Sequence, residues 1–303
     1  MNAPGTSTPP SLPESLCYLN GAYSRLCDAK VSVLDRGFIF GDGVYEVLPA
    51  YEGRFFRFDQ HMARLERSLA ELRMTNPLSK AEWLAIARKL VESLRVSGTS
   101  VNQIVYIQIT RGVAPRDHVM PPGLSPTVFV MASEMKQASP AQREHGVTCV
   151  SADDFRWQKA HIKSTSLLGA VFARQISADA DAVETVMYRD DCLSEGAASN
   201  VWVVKDGVVM GPPKDNLVLE GIRFSLIEEI CREEGIPYQL RRILREEVLG
   251  ADELLLSSAT KEVLPITTLD SVPVGNGSTW GRPGPVYERL YAGYQRAKAA
   301  QSI

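Results

Sequence analysis

Two Xaa-Gly turns, Asn20-Gly21 and Asp206-Gly207, restrict most strongly how this chain can fold. Residues of these types tolerate positive φ, so each pair is typical of a tight antiparallel hairpin. The first turn lies between the short apolar segments 17–19 and 22–24, and the second lies within an alternating run at 182–213. Antiparallel strands are therefore predicted in both halves of the chain.

Helix signals lie between these strands and make the predicted fold class α+β. Asp59 is predicted to cap a helix with an apolar stripe, and Ser79 with Glu82 forms a capping box that starts a second helix. Strands are expected at 31–33 and 44–51. Two helices over a sheet would form a compact N-terminal unit.

The second half predicts three longer helices. One should open at Ser164 and bury five apolar side chains: Leu167, Leu168, Val171, Phe172 and Ile176. Another should start at Gly221 and stop at Gly235, and residues 285–300 should form a closing helix.

Composition shifts suggest where the domains begin and end. Residues 1–16 are rich in Pro, Ser and Thr and are expected to be a disordered tail. Residues 17–133 should form a small N-terminal domain, and the polar segment 134–145 should be a linker. Residues 146–303 should form a larger C-terminal domain.

Bulk properties exclude several classes of function. A net charge of -3 over 303 residues gives no basic surface for nucleic acid. The five cysteines are scattered and odd in number, and the four histidines lack ligand spacing, so no disulfide framework or metal site is indicated. No apolar run is long enough to span a bilayer. A cytoplasmic protein that binds neither membrane nor nucleic acid is expected.

Lys163 is the first candidate for chemistry, at the end of a loop within 153–169. A lysine whose ammonium is desolvated, or held near another positive group, can condense as a neutral amine with a carbonyl. The alternative is an ordinary solvated surface lysine.

Glu195 is followed by the small residues 196–199, which would let a flat ring approach the backbone. A carboxylate beside a pyridine nitrogen keeps that nitrogen protonated, although a turn glutamate facing water has the same sequence. The helix start after Gly221 and the hydroxyl-rich turn 257–260 could bind an anion such as a phosphate.

Three residues of the N-terminal half could bind a substrate carboxylate. Arg116 and His118 lie two residues apart in a proline-bounded loop, which suits capture of a carboxylate but also fits an exposed polar loop. Tyr45 lies on a predicted strand and would either extend its hydroxyl into a cleft or belong to a plain hairpin.

Taken together, these motifs resemble the fold-type IV pyridoxal-phosphate enzymes. The matching stretches are DRGFIFGDGVYEV, ITRGVAPRDH, HIKSTSLLGAVFA, LSEGAASNV and the serine-rich turn after DELLL, in the order of that family. The resemblance covers all but the tail and is strongest to the D-amino acid aminotransferase branch. It implies a small N-terminal α/β domain and a larger cofactor-binding domain with a pseudo-barrel-like sheet.

The resemblance also implies roles for individual residues. Lys163 would be the Schiff-base lysine and proton shuttle, and Glu195 would pair with the pyridinium nitrogen of pyridoxal 5'-phosphate. Further cofactor contacts are implied for Arg64, Leu219, Ile222, Arg223, Ser258, Ala259 and Thr260. Tyr45, Arg116 and His118 would bind the substrate α-carboxylate, with the Arg116 loop reaching in from a second subunit of a homodimer.

Two positions depart from the family pattern: Arg223 and Ala259 stand where threonines are usual, so the phosphate would depend more on backbone amides and on arginine charge. The implied reaction is transamination of a D-alanine-like donor with 2-oxoglutarate or pyruvate. The alternatives are an (R)-selective amine transaminase, a branched-chain L-amino acid aminotransferase and, further away, an aminodeoxychorismate lyase. A protein that merely binds the cofactor is the non-enzymatic alternative.

Overall fold

The computed structural model describes residues 13–98 and 101–303. Most of the predicted tail, 1–12, therefore lies outside the described residues, and Leu16 already belongs to the first strand. Within the described ranges, no helix is both long and apolar enough to cross a membrane.

A six-stranded antiparallel sheet forms the N-terminal half. Its strands are β1 (Leu16–Leu19), β2 (Ala22–Arg25), β3 (Gly43–Tyr51), β4 (Arg54–Phe55), β5 (Asn102–Thr110) and β6 (Thr127–Glu134). They pair in the order β2-β1-β6-β5-β3-β4. Asn20 and Gly21 both have positive φ between β1 and β2, which confirms the predicted hairpin.

Three helices accompany this sheet: α1 (Arg36–Phe40), α2 (Phe58–Glu71) and α3 (Lys80–Val96). The apolar sides of α2 and α3 pack on one face of the sheet and form a core with Val44 and Leu48 of β3. Ser79 and Glu82 make the predicted capping box. Asp59 does not cap α2, because the helix begins one residue earlier, after Arg57 in the left-handed region.

A second, nine-stranded sheet forms the C-terminal half. Its strands are β7 (Val147–Asp153), β8 (Glu184–Arg189), β9 (Cys192–Gly196), β10 (Asn200–Lys205), β11 (Val208–Gly211), β12 (Tyr238–Leu240), β13 (Glu253–Ser258), β14 (Glu262–Leu269) and β15 (Val272–Pro273). The order is β12-β11-β10-β13-β14-β7-β8-β9, with β15 beside β14. Five helices accompany it: α4 (Pro140–His145), α5 (Leu168–Asp179), α6 (Ile222–Glu234), α7 (Arg245–Leu249) and α8 (Pro285–Ala300).

The second sheet must curl, and its strand order shows why. Strands β9 and β10 are separated by four other strands, a distance of about 24 Å in a flat sheet. The chain between Gly196 and Asn200 can span only about 14 Å. The sheet therefore bends toward a partial barrel and brings the 197–199 loop close to β13, which confirms the predicted fold class.

Several predicted elements differ from the structure. Residues 31–33 form no strand, and Val33 is exposed. Helix α5 begins at Leu168 rather than Ser164, and its expected buried face is turned outward: Leu168 and Phe172 are 69% and 58% exposed. Helices α6 and α8, by contrast, have the predicted limits.

Candidate active site

A cavity of about 1300 Å³ lies between the two sheets. Its wall combines β3 and α2 of the N-terminal half with the 155–171 segment, the 195–200 loop, the start of α6 and the 257–260 turn. Ten of the predicted residues line it: Tyr45, Arg64, Lys163, Glu195, Leu219, Ile222, Arg223, Ser258, Ala259 and Thr260. Residues far apart in sequence therefore meet at one site.

Lys163 is held on an extended segment that pairs with β3. Its carbonyl oxygen accepts a hydrogen bond from the Tyr45 amide at 3.0 Å, and Ser164 forms a bridge with Val44. The Lys163 amide lies 3.4 Å from the Ser68 hydroxyl. Its ammonium nitrogen lies 4.0 Å from the centroid of the Tyr45 ring, within range of a cation–π contact.

The hydroxyl groups after Lys163 do not start a helix. Those of Thr165 and Ser166 donate instead to the carbonyl oxygen of Gly41, at 2.9 and 3.0 Å, and the Thr165 amide donates to Gly43. A Cβ on Gly41 would lie 2.8 Å from the Ser166 hydroxyl, so glycine is required for this close approach. These contacts fix the backbone on which the amine stands.

Glu195 is a buried carboxylate on β9. Arg156 Nη1 donates to it at 2.7 Å, and the Leu219 amide and Asn200 Nδ2 each donate at 3.2 Å. Burial raises the pKa of Glu195 to about 7, against the opposing effect of the Arg156 guanidinium. A cationic group that enters the cavity beside Glu195 would favour its ionised, carboxylate form.

Arg156 was not identified from the sequence. It is paired with Asp154 through bonds of 2.9 Å from both Nε and Nη2, and it reaches Glu195 with its remaining nitrogen. The Ser194 hydroxyl donates to the same aspartate. The only local signal is the Asp-x-Arg spacing, which does not indicate that β9 lies beside it.

The predicted Arg64 belongs to a buried cluster on the α2 side whose other members, Glu46 and His61, were not predicted. Glu46 of β3 accepts from Arg64 Nε and Nη2 at 2.7 and 2.8 Å, and it lies 2.8 Å from His61 Nδ1. Burial alone would raise the pKa of Glu46, but Arg64 and His61 hold it below its ordinary value. Glu46 therefore fixes the orientation of Arg64 in the cavity wall.

The start of α6 closes another part of the wall. A Cβ on Gly221 would overlap the side-chain oxygen of Asn200, so the chain passes closely only because this residue is glycine. Asn200 Nδ2 also donates to the Leu219 carbonyl at 3.0 Å. The amides of Ile222 and Arg223 are the first in α6 and have no partner within the helix, an arrangement that favours anions.

The turn after β13 brings hydroxyl groups to the same wall. Ser258 accepts from the Lys261 amide at 3.1 Å, and the Lys261 ammonium binds Glu184 at 2.9 Å and the Ser199 hydroxyl at 3.0 Å. The partly buried Lys261 therefore ties the 257–260 turn to the 197–199 loop through Ser199. Ala259 contributes no side-chain donor.

Arg116 and His118 do not line the cavity of their own chain. Both are exposed, on a loop whose Asp117 carbonyl accepts from Arg36 Nη1 at 2.6 Å. The guanidinium of Arg116 lies 5.6 Å from the centroid of the Phe40 ring, and the imidazole of His118 lies 5.3 Å from it. The loop thus lies beside α1, whose Phe40 lines the cavity.

The cavity residues fit pyridoxal 5'-phosphate. The wall offers an amine for the carbonyl carbon, a buried carboxylate for the ring nitrogen, and a helix start with Arg64 and serine hydroxyls for the phosphate. At Gly196 and Gly221 the backbone passes so close to neighbouring groups that a side chain would not fit. Fold and site together define a pyridoxal-phosphate-dependent aminotransferase.

The chain belongs to the class IV aminotransferases, because residues 43–269 match the family described as amino-transferase class IV. A D-alanine aminotransferase of Staphylococcus epidermidis is 36% identical over 94% of this chain and 99% of its own length. One from Bacillus licheniformis is 36% identical over 92% and 95%. The branched-chain aminotransferase from Escherichia coli has a TM-score of 0.81 at 23% identity, covering 96% of this chain and 96% of that one. That structure shows the shared fold.

Proposed function

We propose that this enzyme transfers the amino group of D-alanine-like amino acids to 2-oxoglutarate or pyruvate. The observation that carries the proposal is the joint placement of Lys163, Glu195 and Tyr45 around one cavity. The choice of D-amino acids is supported by relatives named D-alanine aminotransferase that match most of the chain.

Lys163 is proposed to hold the cofactor and to move the substrate proton. Pyridoxal 5'-phosphate, when bound, supplies a carbonyl carbon that exchanges amines and a ring that accepts the electron pair left at Cα. With the cofactor bound, the Lys163 amine would take the proton from the substrate Cα and deliver it to the cofactor carbon that carries the amino group. The bridge of Ser164 to Val44 fixes the backbone that carries this amine.

Glu195 is proposed to hold a proton at the ring nitrogen. Its ionised form is stabilised by Arg156 and by the Leu219 amide, so the carboxylate is available to a cation beside it. Leu219 would pack on the ring face. Ile222 and Arg223 would bind the phosphate through the helix start, with Arg64, Ser258, Ala259 and Thr260 completing that end.

The substrate carboxylate is proposed to bind Tyr45 together with Arg116 and His118 from the partner subunit. Within one chain the loop that carries them is exposed and outside the cavity wall. An amino acid anchored there would point the Cα hydrogen of its D-enantiomer toward Lys163. The site is then complete only in a homodimer.

Exposed apolar side chains support this assembly. Five of them line the cavity: Phe38 and Leu168 are 70% and 69% exposed, and Phe155, Trp157 and Val171 are about half exposed. Phe172 follows Val171 on α5 and is also exposed. Single exposed apolar residues are ordinary, but a contiguous group is typical of an interface. We propose that this apolar group is covered by the second subunit.

Two broader proposals concern the whole chain. The five cysteines are all unpaired, which supports a reducing cytoplasm as the site of action. The domain limits 17–133 and 146–303 remain our proposal, with 134–145 as linker, although the linker includes the capped helix α4.

Absorbance spectroscopy tests the reaction. We expect the cofactor band of the loaded enzyme to change on addition of D-alanine and to return on addition of 2-oxoglutarate. L-alanine and a simple chiral amine should leave it unchanged. A response to L-leucine, or to the amine alone, would replace this proposal by one of the other transaminase activities.

Subunit complementation tests the shared site. K163A should be inactive alone, and R116A should retain little activity at D-alanine concentrations well below its raised KM. Mixing them under exchange should restore about a quarter of wild-type activity, because half of the dimers then carry one intact site. No recovery in mixtures shown to exchange subunits would mean that Arg116 acts in its own chain or not at all.

A further inference from the structure

At the start of α6 the cavity wall contains Arg223, an arginine without a paired carboxylate in the described part of the chain. Arg223 is buried, and among residues 13–98 and 101–303 no carboxylate oxygen lies within 4.0 Å of its guanidinium. Nε and Nη2 donate to the Tyr294 hydroxyl at 3.2 and 3.0 Å, and the guanidinium carbon lies 5.4 Å from the centroid of the Phe56 ring. These neutral groups orient the guanidinium without compensating its charge.

Nearby carboxylates are already compensated by other cations. Glu46 is bonded twice to Arg64. Glu262 acts on Arg223 through space, but it is bonded to Lys298 and to Arg143, each at 3.0 Å. One positive charge therefore remains at this end of the cavity.

His61 connects the two arginines. Its Nδ1 faces the Glu46 carboxylate, which can only accept, so the ring proton lies on Nδ1 and Nε2 presents its lone pair. Nε2 lies 3.5 Å from Arg223 Nη1. Burial lowers the pKa of His61 to about 4, so the imidazole stays neutral at neutral pH and does not repel the guanidinium.

We propose that the Arg223 side chain is the charge receptor for the cofactor phosphate, and that Tyr294 and His61 are its positioning residues. A buried cation without a counter-ion destabilises a folded chain, and an anion entering the cavity relieves this cost. The phosphate is the anionic group of the cofactor that the α6 start can accept. This inference rests on the proposed function. It assigns recognition of the phosphate charge to the Arg223 side chain rather than to the backbone amides at the start of α6 alone.

The test compares two ligands that differ only in the phosphate. Full-length enzyme is freed of cofactor and titrated with pyridoxal 5'-phosphate and with pyridoxal, following absorbance, for wild type, R223M, R223K and Y294F. R67M, at an exposed arginine of α2, is the matched control. R223M should weaken binding of the phosphorylated ligand by about 10- to 100-fold and leave pyridoxal within about 3-fold. Inorganic phosphate should raise the Tm of wild type more than that of R223M.

Equal losses for both ligands, or none for either, would overturn the assignment. R223K should recover part of the phosphate-specific loss, and Y294F should show a smaller loss of the same kind. If R223M does not fold, a Y294F variant without any phosphate-specific loss overturns the proposal by itself. If wild type turns over D-alanine and R223M shows no phosphate-specific loss of binding, only this inference is refuted. If wild type does not bind the cofactor, the proposed function is refuted as well.

Discussion

Replacing Glu195 by glutamine should change how stability depends on pH. Burial raises the pKa of this carboxyl from 4.5 to about 7, so between these values the cofactor-free folded chain binds a proton that the unfolded chain has released. The free energy of unfolding therefore falls as the pH rises through this window. This destabilisation is absent below the pKa of Glu195 in the unfolded chain and complete above its pKa in the folded chain.

The size of this effect follows from the shift. A rise of about 2.5 pKa units corresponds to about 3 kcal/mol, of which about 2 kcal/mol develops between pH 5.5 and 8. Glutamine has no such titration, yet its amide oxygen can still accept from Arg156. The free energy of unfolding of E195Q should thus rise relative to wild type by about 2 kcal/mol over that range.

Urea denaturation of cofactor-free protein at fixed concentration, followed by far-UV circular dichroism, measures the difference. E66Q, at an exposed glutamate of α2, provides the matched control. A difference between E195Q and wild type that is constant with pH, or that changes in the opposite direction, would refute the assignment of a buried, destabilised carboxylate at the cavity floor.

Three further changes test other parts of the site. R116A should raise KM for D-alanine by at least about tenfold with a much smaller change in kcat, and an unchanged KM would exclude carboxylate binding. E46Q should lower the free energy of unfolding by about 3 kcal/mol, measured in urea, because the buried Arg64 guanidinium loses its counter-charge, and a loss under about 1 kcal/mol would contradict this. F172D should shift the sedimentation coefficient from that of a dimer to that of a monomer. An unchanged sedimentation coefficient would contradict this prediction.

Local signals predicted elements whose determinants are local. The capping box at Ser79, the left-handed Gly235 after α6 and the Asn20-Gly21 hairpin depend on a few consecutive residues, and the structure has them as expected. The family motifs predicted the cavity residues for a different reason: four of the five matching stretches contribute to the wall of the same cavity, whereas ITRGVAPRDH does not.

The differences arise where distant segments decide the conformation. The hydroxyl-rich residues after Lys163 have the composition of a helix start, but pairing with β3 holds them extended. The apolar stripe of α5 fits a buried face, yet Phe172 is 58% exposed among the residues that the structure describes. Periodicity identifies an apolar side but not what covers it.

Partners of buried charges were equally beyond local inference. Glu46 and Arg64 are 18 residues apart, and Arg156 and Glu195 are 39 apart, so each pair forms only once the strands are arranged. Arg223 stands where the family pattern has a threonine, which the sequence shows. Its orientation toward Tyr294 depends on α8 packing against α6, which the sequence does not show.

Reduction of the loaded enzyme with borohydride, followed by peptide mass spectrometry, tests the central claim most directly. A phosphopyridoxyl group should be found on Lys163 and should be absent from K163A treated in the same way. Attachment to a different lysine, or no attachment in a fully loaded sample, would contradict the role given to Lys163 and the site built around it.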